Sequence, residues 1–220
     1  MTPTTLTLDH LSIFTTPDAP EAATLEALGL QRLGGVTKHG NFGTASTSFF
    51  FSNVYLELFW SYNAEQTAQS VKSAGIDVEA RMNWRKTGTA PFGVMLQAEG
   101  EPPFATTRLR ADWMPGEVLL RFAGQESAEP YYAVIPQPLW YSTFRGNLPQ
   151  PQHPLGLKTL TYAHITVTGE VLSDKAQLLN AAGVLTIERG PEPLMTLTFD
   201  NGAQGKTVDV RPALPLVLQF

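Results

Sequence analysis

The sequence opens with a short strand-like segment, Leu8–Phe14, that carries a histidine at its centre. Apolar and polar residues alternate along it, which predicts a half-buried β-strand with Asp9 and Leu11 on one face and His10 and Phe14 on the other. A buried imidazole must find a hydrogen-bond partner. This segment therefore requires a sheet around it and a polar neighbour for His10.

A second segment of the same kind, Leu160–Val167, lies near the other end of the chain and carries His164. Each histidine is followed by a carboxylate on a later strand-like segment. Glu57 comes 47 residues after His10, and Asp209 comes 45 residues after His164. The common order and the nearly equal spacing predict a duplicated structural unit.

The segments between these landmarks predict the order β-α-β-β-β at both ends of the chain. The middle carries one helical and three strand-like segments, which fit either a degenerate further copy or additions to the two halves. Prolines are frequent in 136–154 and indicate a stiff connector. We expect an N-terminal module at 1–62, a middle segment at 63–152 and a C-terminal module at 153–220.

The strand and helix bounds follow from alternation, caps and glycines. The predicted strands lie at 8–14, 30–33, 45–52, 55–60, 92–96, 117–122, 131–135, 160–168, 184–187, 194–199 and 207–211, and a helix lies at 64–74. The last residues, 217–220, either add an edge strand or pack the terminus against the core.

The composition is that of an ordinary globular chain, with 43% hydrophobic and 16% charged residues among 220. A net charge of −5 without a basic stripe predicts no nucleic-acid partner. The absence of cysteine excludes disulfides, thiolate metal sites and a cysteine nucleophile. No segment approaches the ~20 apolar residues that span a bilayer, and the N-terminus lacks a signal-peptide pattern. We expect a cytoplasmic protein with no membrane partner.

Several short motifs occur in a familiar order. They are Leu8-Asp9-His10-Leu11, Leu28-Gly29-Leu30, His39-Gly40-x-x-Gly43-Thr44, Tyr55-Leu56-Glu57-Leu58 and His153-Pro154-x-Gly156. Taken together, their order and spacing resemble the vicinal-oxygen-chelate superfamily, and within it the glyoxalase-like domain proteins. The resemblance implies an α+β fold in which paired β-α-β-β-β modules form curved mixed sheets around a central cavity, with helices on the outside.

The resemblance also implies one divalent metal in that cavity, held by the first and last strands of the modules. Carried onto this sequence, the ligands are His10, Glu57, His164 and Asp209, and alternation allows all four to face one concave surface. Two imidazoles and two carboxylates suit Fe, Mn, Ni, Zn or Mg with open positions for a substrate.

The function implied is that of a metal-dependent lyase, isomerase or dioxygenase acting on a small oxygenated or aromatic molecule. Glu57 and Asp209 are also candidates for catalytic acid–base work. The expected substrate pocket is lined by Phe14, His39, Tyr55, Phe59 and Tyr162. A homodimer is compatible with this fold. The alternative is a metal-free protein of the same fold that binds or sequesters an apolar small molecule in the cavity.

Each candidate residue also has a purely structural interpretation. His10 could be a cavity histidine that a neighbouring hydroxyl or carbonyl satisfies, and Glu57 could pair with a basic residue. Asp209 is one methylene shorter than glutamate, so Arg211 could pair with it instead. His39 lies in a glycine-rich turn, where it is either a solvent-facing loop residue or part of the cavity rim.

Overall fold

A computed structural model describes residues 4–114, 116–124, 126–149 and 151–220. Over these residues the chain forms two β-sheets with short helices around them. The strands are β1 (Thr5–Phe14), β2 (Thr37–His39), β3 (Thr44–Phe50), β4 (Tyr55–Ser61), β5 (Phe92–Glu99), β6 (Thr107–Arg110), β7 (Leu119–Ala123), β8 (Tyr131–Val134), β9 (Leu160–Val167), β10 (Thr186–Arg189), β11 (Leu194–Phe199), β12 (Thr207–Asp209) and β13 (Leu216–Gln219). The α-helices are α1 (Ala22–Ala27), α2 (Ala64–Val71), α3 (Val78–Met82), α4 (Trp84–Thr87), α5 (Tyr141–Phe144) and α6 (Asp174–Ala181).

Most predicted strands are present, and the exceptions lie near turns. The segment predicted as a strand at 30–33 is irregular, and the strand that follows α1 is β2, which begins four residues after the end of that segment. Leu30 is nevertheless buried, which accounts for its apolar character without a strand. Strand β6 has no counterpart among the predictions, because its sequence Thr-Arg-Leu-Arg is short and half charged.

The larger sheet has eight strands in the order β2-β3-β4-β1-β5-β8-β7-β6. Its centre is an antiparallel pair, β1 with β5, and each of these strands has a parallel neighbour on its outer side. The sheet therefore consists of two similar halves, β1–β4 and β5–β8, that meet along β1 and β5. The predicted class, α+β with paired modules in curved mixed sheets, is confirmed.

The partner of the first module is the middle segment rather than the C-terminal one. Strands β5–β8 come from residues 92–134, whereas β9–β13 form a separate sheet in the order β10-β9-β11-β13-β12. Strands β1 and β9, predicted as equivalent strands of a duplicated unit, lie in different sheets. Main-chain hydrogen bonding decided it, since β1 has β4 and β5 as its neighbours.

The two sheets share one hydrophobic core. Leu11 and Ile13 from β1 and Ile165 and Val167 from β9 belong to the same buried cluster. The opposite face of the larger sheet carries a second apolar cluster that includes Phe14, and this second cluster surrounds a cavity. No helix among the described residues is long and apolar enough to cross a membrane.

Candidate ligand-binding cavity

The floor of the cavity consists of two rows of side chains that run across the four central strands. One row is Tyr55, His10, Met95 and Ala133, and the next is Glu57, Ser12, Gly93 and Tyr131. Adjacent strands in register place such residues on the same face, about 4.8 Å apart. Apart from Tyr131, the polar members come from β1 and β4, so one half of the sheet supplies nearly all of the polar floor.

A β-bulge in β1 sets the orientation of His10. Leu8 is opposite Leu96 and His10 is opposite Met95, so Asp9 is an extra residue in the β1–β5 ladder. A bulge interrupts the strict alternation of side chains, and here it brings two neighbouring side chains into contact. The Nδ1 of His10 lies 2.5 Å from Asp9 Oδ1, although simple alternation predicts that these residues face apart.

Asp9 is completely buried and fully hydrogen-bonded. Besides the imidazole, its carboxylate accepts hydrogen bonds from Gln97 Nε2 at 2.7 Å and from the Tyr141 backbone N–H at 2.9 Å. Burial alone would raise the pKa of Asp9, but the hydrogen bonds from His10, Tyr141 and Gln97 hold that pKa below its ordinary value of 3.8. Because an ionised carboxylate only accepts, Nδ1 of His10 carries a proton and Nε2 faces the cavity.

The ring of His10 stacks on Tyr55, with the ring centroids 4.0 Å apart and the planes 16° apart. The Tyr55 hydroxyl lies 3.2 Å from Nε2, within hydrogen-bond distance. Glu57 Oε2 is 3.8 Å from Nε2. Burial, with the charges of Glu57 and Asp9 nearby, holds the pKa of Tyr55 well above 10, so its hydroxyl stays protonated.

Glu57 is fixed by one hydrogen bond, which its Oε1 accepts from the Ser46 hydroxyl at 3.0 Å. In the same row, the position of the Tyr131 ring depends on Gly93. A Cβ at that position would lie 2.4 Å from Ser12 Oγ and 2.4 Å from the ring of Tyr131. Because glycine lacks this atom, Tyr131 can lay its ring across β5 towards β1.

His39 lies at the rim and is half-buried. Its Nδ1 is 3.1 Å from the Thr44 hydroxyl, and its ring stacks on Phe59 with centroids 5.3 Å apart. Burial lowers the pKa of His39 below its ordinary value of 6.5, and the charge of Glu57 opposes this only in part. The imidazole of His39 is therefore neutral at neutral pH, and the rim interpretation agrees with its position.

The cavity has a volume of about 470 Å³, within the range of small-molecule pockets. Four of the five predicted pocket residues line it, namely Phe14, His39, Tyr55 and Phe59 together with the two candidate ligands His10 and Glu57. The middle segment contributes apolar side chains that the sequence did not single out. These are Met95, Leu120, Phe122, Ala133 and Ile135.

The other three predicted site residues lie in the five-stranded sheet and do not line this cavity. Tyr162 is 50% exposed and donates a hydrogen bond to Thr186 Oγ1 at 2.6 Å. His164 Nε2 lies 3.0 Å from Glu188 Oε1. The sequence had predicted that Tyr162 and His164 line the cavity, but they make these contacts instead.

Asp209 is exposed and pairs with Arg211, whose Nη2 is 2.6 Å from Oδ2. Pairing with Arg211 was the alternative to metal binding that the sequence left open. The hydrogen bonds from Arg211 lower the pKa of Asp209 to about 2. Strands β11 and β13 lie between β12 and β9, so Asp209 and His164 are three strand spacings apart, roughly 14 Å. The predicted set of four ligands is therefore not brought together.

The residues in the cavity do not fit a metal centre. A bound divalent ion generally needs at least three protein ligands of the imidazole, thiolate or carboxylate type, or several oxygens. Among the described residues there is no group of three or more histidines, cysteines, aspartates and glutamates placed to hold one. The part of the described lining that comes from residues 92–135 includes Met95, Ala133 and Ile135 and supplies no imidazole or carboxylate.

No protein-family model matches the sequence, and no curated protein matches it at a significant level. Among solved structures, a hypothetical protein from Staphylococcus aureus is similar over 97% of this chain and 99% of that chain, with 12% identity and a TM-score of 0.58. At this identity the likeness shows the fold alone.

Two further solved structures are more distant. A hypothetical protein from Bacillus halodurans aligns over 59% of this chain and 93% of that chain, with 14% identity and a TM-score of 0.38. A mutant of 4-hydroxymandelate synthase from Streptomyces coelicolor aligns over 98% of this chain and 62% of that chain, with 11% identity and a TM-score of 0.44. With TM-scores below 0.5, neither carries an inference about this protein.

Proposed function

We propose that this protein is a glyoxalase-like binding protein that holds a small, largely apolar organic molecule in the cavity through its own side chains, without a metal. The observation that carries the proposal is the make-up of the cavity. Aromatic and aliphatic side chains dominate its walls, and the polar groups are gathered on one side of the floor, around His10 and Glu57. An apolar enclosure with a few convergent polar groups is typical of a small-molecule site.

The polar side of the floor is rigid before any ligand arrives. Asp9 holds the imidazole of His10 through Nδ1, and Ser46 holds one oxygen of Glu57. These contacts fix the His10 imidazole and the Glu57 carboxylate, whose atoms Nε2 and Oε2 lie on the cavity side. A preorganised polar group loses little conformational entropy on binding, so these atoms would orient an otherwise apolar ligand.

Binding of a neutral aromatic probe tests this proposal. Cinnamyl alcohol should bind one site per chain in equilibrium dialysis near neutral pH. Thr37 is exposed on the cavity rim, so Thr37→Phe should narrow the entrance and weaken binding by about tenfold or more, which corresponds to 1.4 kcal/mol of lost contact. Thr207→Phe is the matched control, because Thr207 is an exposed strand residue of the other sheet. Equal binding by both variants would refute the cavity as the site.

Metal content separates this proposal from the enzyme predicted from the sequence. That prediction, a metal-dependent lyase, isomerase or dioxygenase, requires about one divalent ion per chain. Protein purified without added metal or chelator should contain far less than one equivalent, and dialysis against a chelator should leave cinnamyl alcohol binding unchanged. One tightly bound equivalent that is lost in His10→Ala would overturn the metal-free proposal.

A further inference from the structure

The charged groups at the cavity wall have one sign. The described residues that line the cavity include one carboxylate, Glu57, and no lysine or arginine. Four basic residues are adjacent to the lining in sequence, and each makes its contacts elsewhere. Lys38 lies over the ring of Tyr62, 5.2 Å from its centroid, and Arg145 hydrogen-bonds Tyr141. Arg121 pairs with Glu101, and Lys72 lines a different pocket. A ligand anion would therefore meet no cationic side chain at the wall.

Aromatic rings flank the carboxylate on the same surface. Tyr55 and Phe59 lie two positions to either side of Glu57 on β4, so all three side chains point into the cavity. Tyr131 reaches across Gly93 from the other half of the sheet. Phe14 packs edge-on against both Phe59 and Tyr131, with ring centroids 5.3 and 5.7 Å away. The faces of such rings attract a cation, and the attraction grows where water is excluded.

The groups beneath the cavity floor do not neutralise the negative charge of Glu57. Asp9 and Glu57 both contact His10, so one imidazole lies between two carboxylates, and it can offset only one of them if it is protonated. Arg81 is buried, and its guanidinium is 5.9 Å from the Tyr131 ring centroid. Arg81 donates to the backbone carbonyls of Ala90 and Glu129, and it does not line the cavity.

We infer that the ligand of this cavity is an organic cation: a protonated amine or quaternary ammonium group, with an apolar body, that pairs with Glu57 between the rings of Tyr55, Phe59 and Tyr131. The inference rests on the proposed function and names the chemical class of its ligand. The ammonium group would pair with Glu57 Oε2, and the apolar part of the ligand would fill the half of the cavity that β5–β8 form. The carboxylate of Glu57 and the faces of the aromatic rings would both attract the positive charge of the ammonium group.

Three probes of nearly the same shape test the inference: cinnamylamine as the cation, cinnamyl alcohol as the neutral molecule and cinnamate as the anion. Near neutral pH, cinnamylamine should bind at least about tenfold more tightly than cinnamyl alcohol, and cinnamate should bind most weakly. In Glu57→Gln, which keeps an oxygen for Ser46 but removes the charge, the ratio of amine to alcohol affinity should fall to about one. Thermal unfolding of each variant establishes that it is folded.

Glu188→Gln is the matched control, since Glu188 also contacts a histidine, His164, but in the other sheet. It should leave the ratio at its wild-type value. If the alcohol binds and the amine binds no better, the cation inference is wrong and the binding function stands. If cation preference persists in Glu57→Gln, the assignment of Glu57 is wrong. If none of the probes binds, the proposed function itself fails.

Discussion

Strands β1 and β9 have nearly the same sequence pattern but very different surroundings. Both alternate, both carry a central histidine, and both bury their aliphatic face in the common core. The side chain of His10 is 8% exposed beneath the cavity, whereas that of His164 is 24% exposed and contacts Glu188. The pattern of a single strand therefore sets which face is apolar, but the neighbouring strands decide whether the polar face becomes a site.

The residue before each histidine accounts for much of the difference. It is Asp9 in β1 and Ala163 in β9. The bulge in β1 lets Asp9 bond to His10 from within the buried region, while Ala163 offers no polar group. The following experiments test this comparison, beginning with the largest expected effect.

Replacing Asp9 by alanine makes β1 resemble β9 and should give the largest loss of stability. The change leaves the imidazole of His10, the amide of Gln97 and the N–H of Tyr141 without their common partner. We expect the free energy of unfolding to fall by about 3–5 kcal/mol, as for the removal of one member of a buried charged pair. Urea denaturation measures it. If Asp9→Ala does not fold, Asp9→Asn should show a smaller loss, and a loss below about 1 kcal/mol would contradict the role given to Asp9.

Gly93→Ala tests the junction between the two halves of the larger sheet. The added methyl would lie 2.4 Å from both Ser12 Oγ and the Tyr131 ring. Overpacking of this kind should cost about 1–3 kcal/mol in urea denaturation and should also weaken probe binding, because the ring of Tyr131 must move. Gly35→Ala is the control, since a Cβ there meets nothing within 4 Å. Equal stabilities for the two variants would show that Tyr131 does not depend on Gly93.

The two histidines can be compared directly by His10→Ala and His164→Ala. Loss of His10 leaves the buried carboxylate of Asp9 without one donor and opens space beside Tyr55, so we expect a cost of about 1–3 kcal/mol. Loss of His164 should change the free energy of unfolding by no more than about 0.5 kcal/mol. Chemical denaturation of both variants checks this pair. Similar costs would mean that the two strands are more alike than their surroundings indicate.

The pH dependence of stability reports on the buried imidazoles. Burial lowers the pKa values of both His39 and His153 below 6.5, so the unfolded chain binds protons there more readily than the folded chain does. Stability should therefore be complete above about pH 6.5 and should fall as the pH is lowered through that value. In His153→Gln, whose amide can still donate to Phe50 and accept from Gln31, this fall should be smaller. An unchanged pH profile would contradict the assignment to His153.

Asp209→Asn should have the smallest effect. Its carboxylate is exposed, and its partners are Arg211 and water, so neither the unfolding midpoint nor cinnamylamine binding should change measurably near neutral pH. By contrast, Glu57→Gln should abolish the expected cation preference. A loss of binding in Asp209→Asn would place Asp209 in the site after all.

Several features of the site could be predicted from local sequence. Alternation in Tyr55–Trp60 placed Glu57, Tyr55 and Phe59 on one face, and alternation in β1 placed His10 and Phe14 on one face. The possibility that Arg211 pairs with Asp209 was also visible, because the two residues are only two positions apart in the sequence. These predictions succeed because side-chain direction in a strand depends on the chain itself.

Other features could not be predicted locally. The insertion of β13 between β11 and β12 separates Asp209 from His164, yet residues 217–220 give no sign of pairing parallel to β11. The bulge at Asp9 shows only in the register between β1 and β5. Both features depend on which strands are hydrogen-bonded to each other, and such pairing joins residues that are distant in sequence.

The sequence by itself determined the paired-module class of the fold, the apolar face of β1, and the histidine, glutamate and aromatic residues of the polar half of the cavity. The tertiary structure alone decided that the second half comes from β5–β8, and that it brings Met95, Ala133 and Ile135 into the same cavity as His10 and Glu57. The physical reason is that alternation fixes where a side chain points, whereas a site depends on which strands the main-chain hydrogen bonds place side by side.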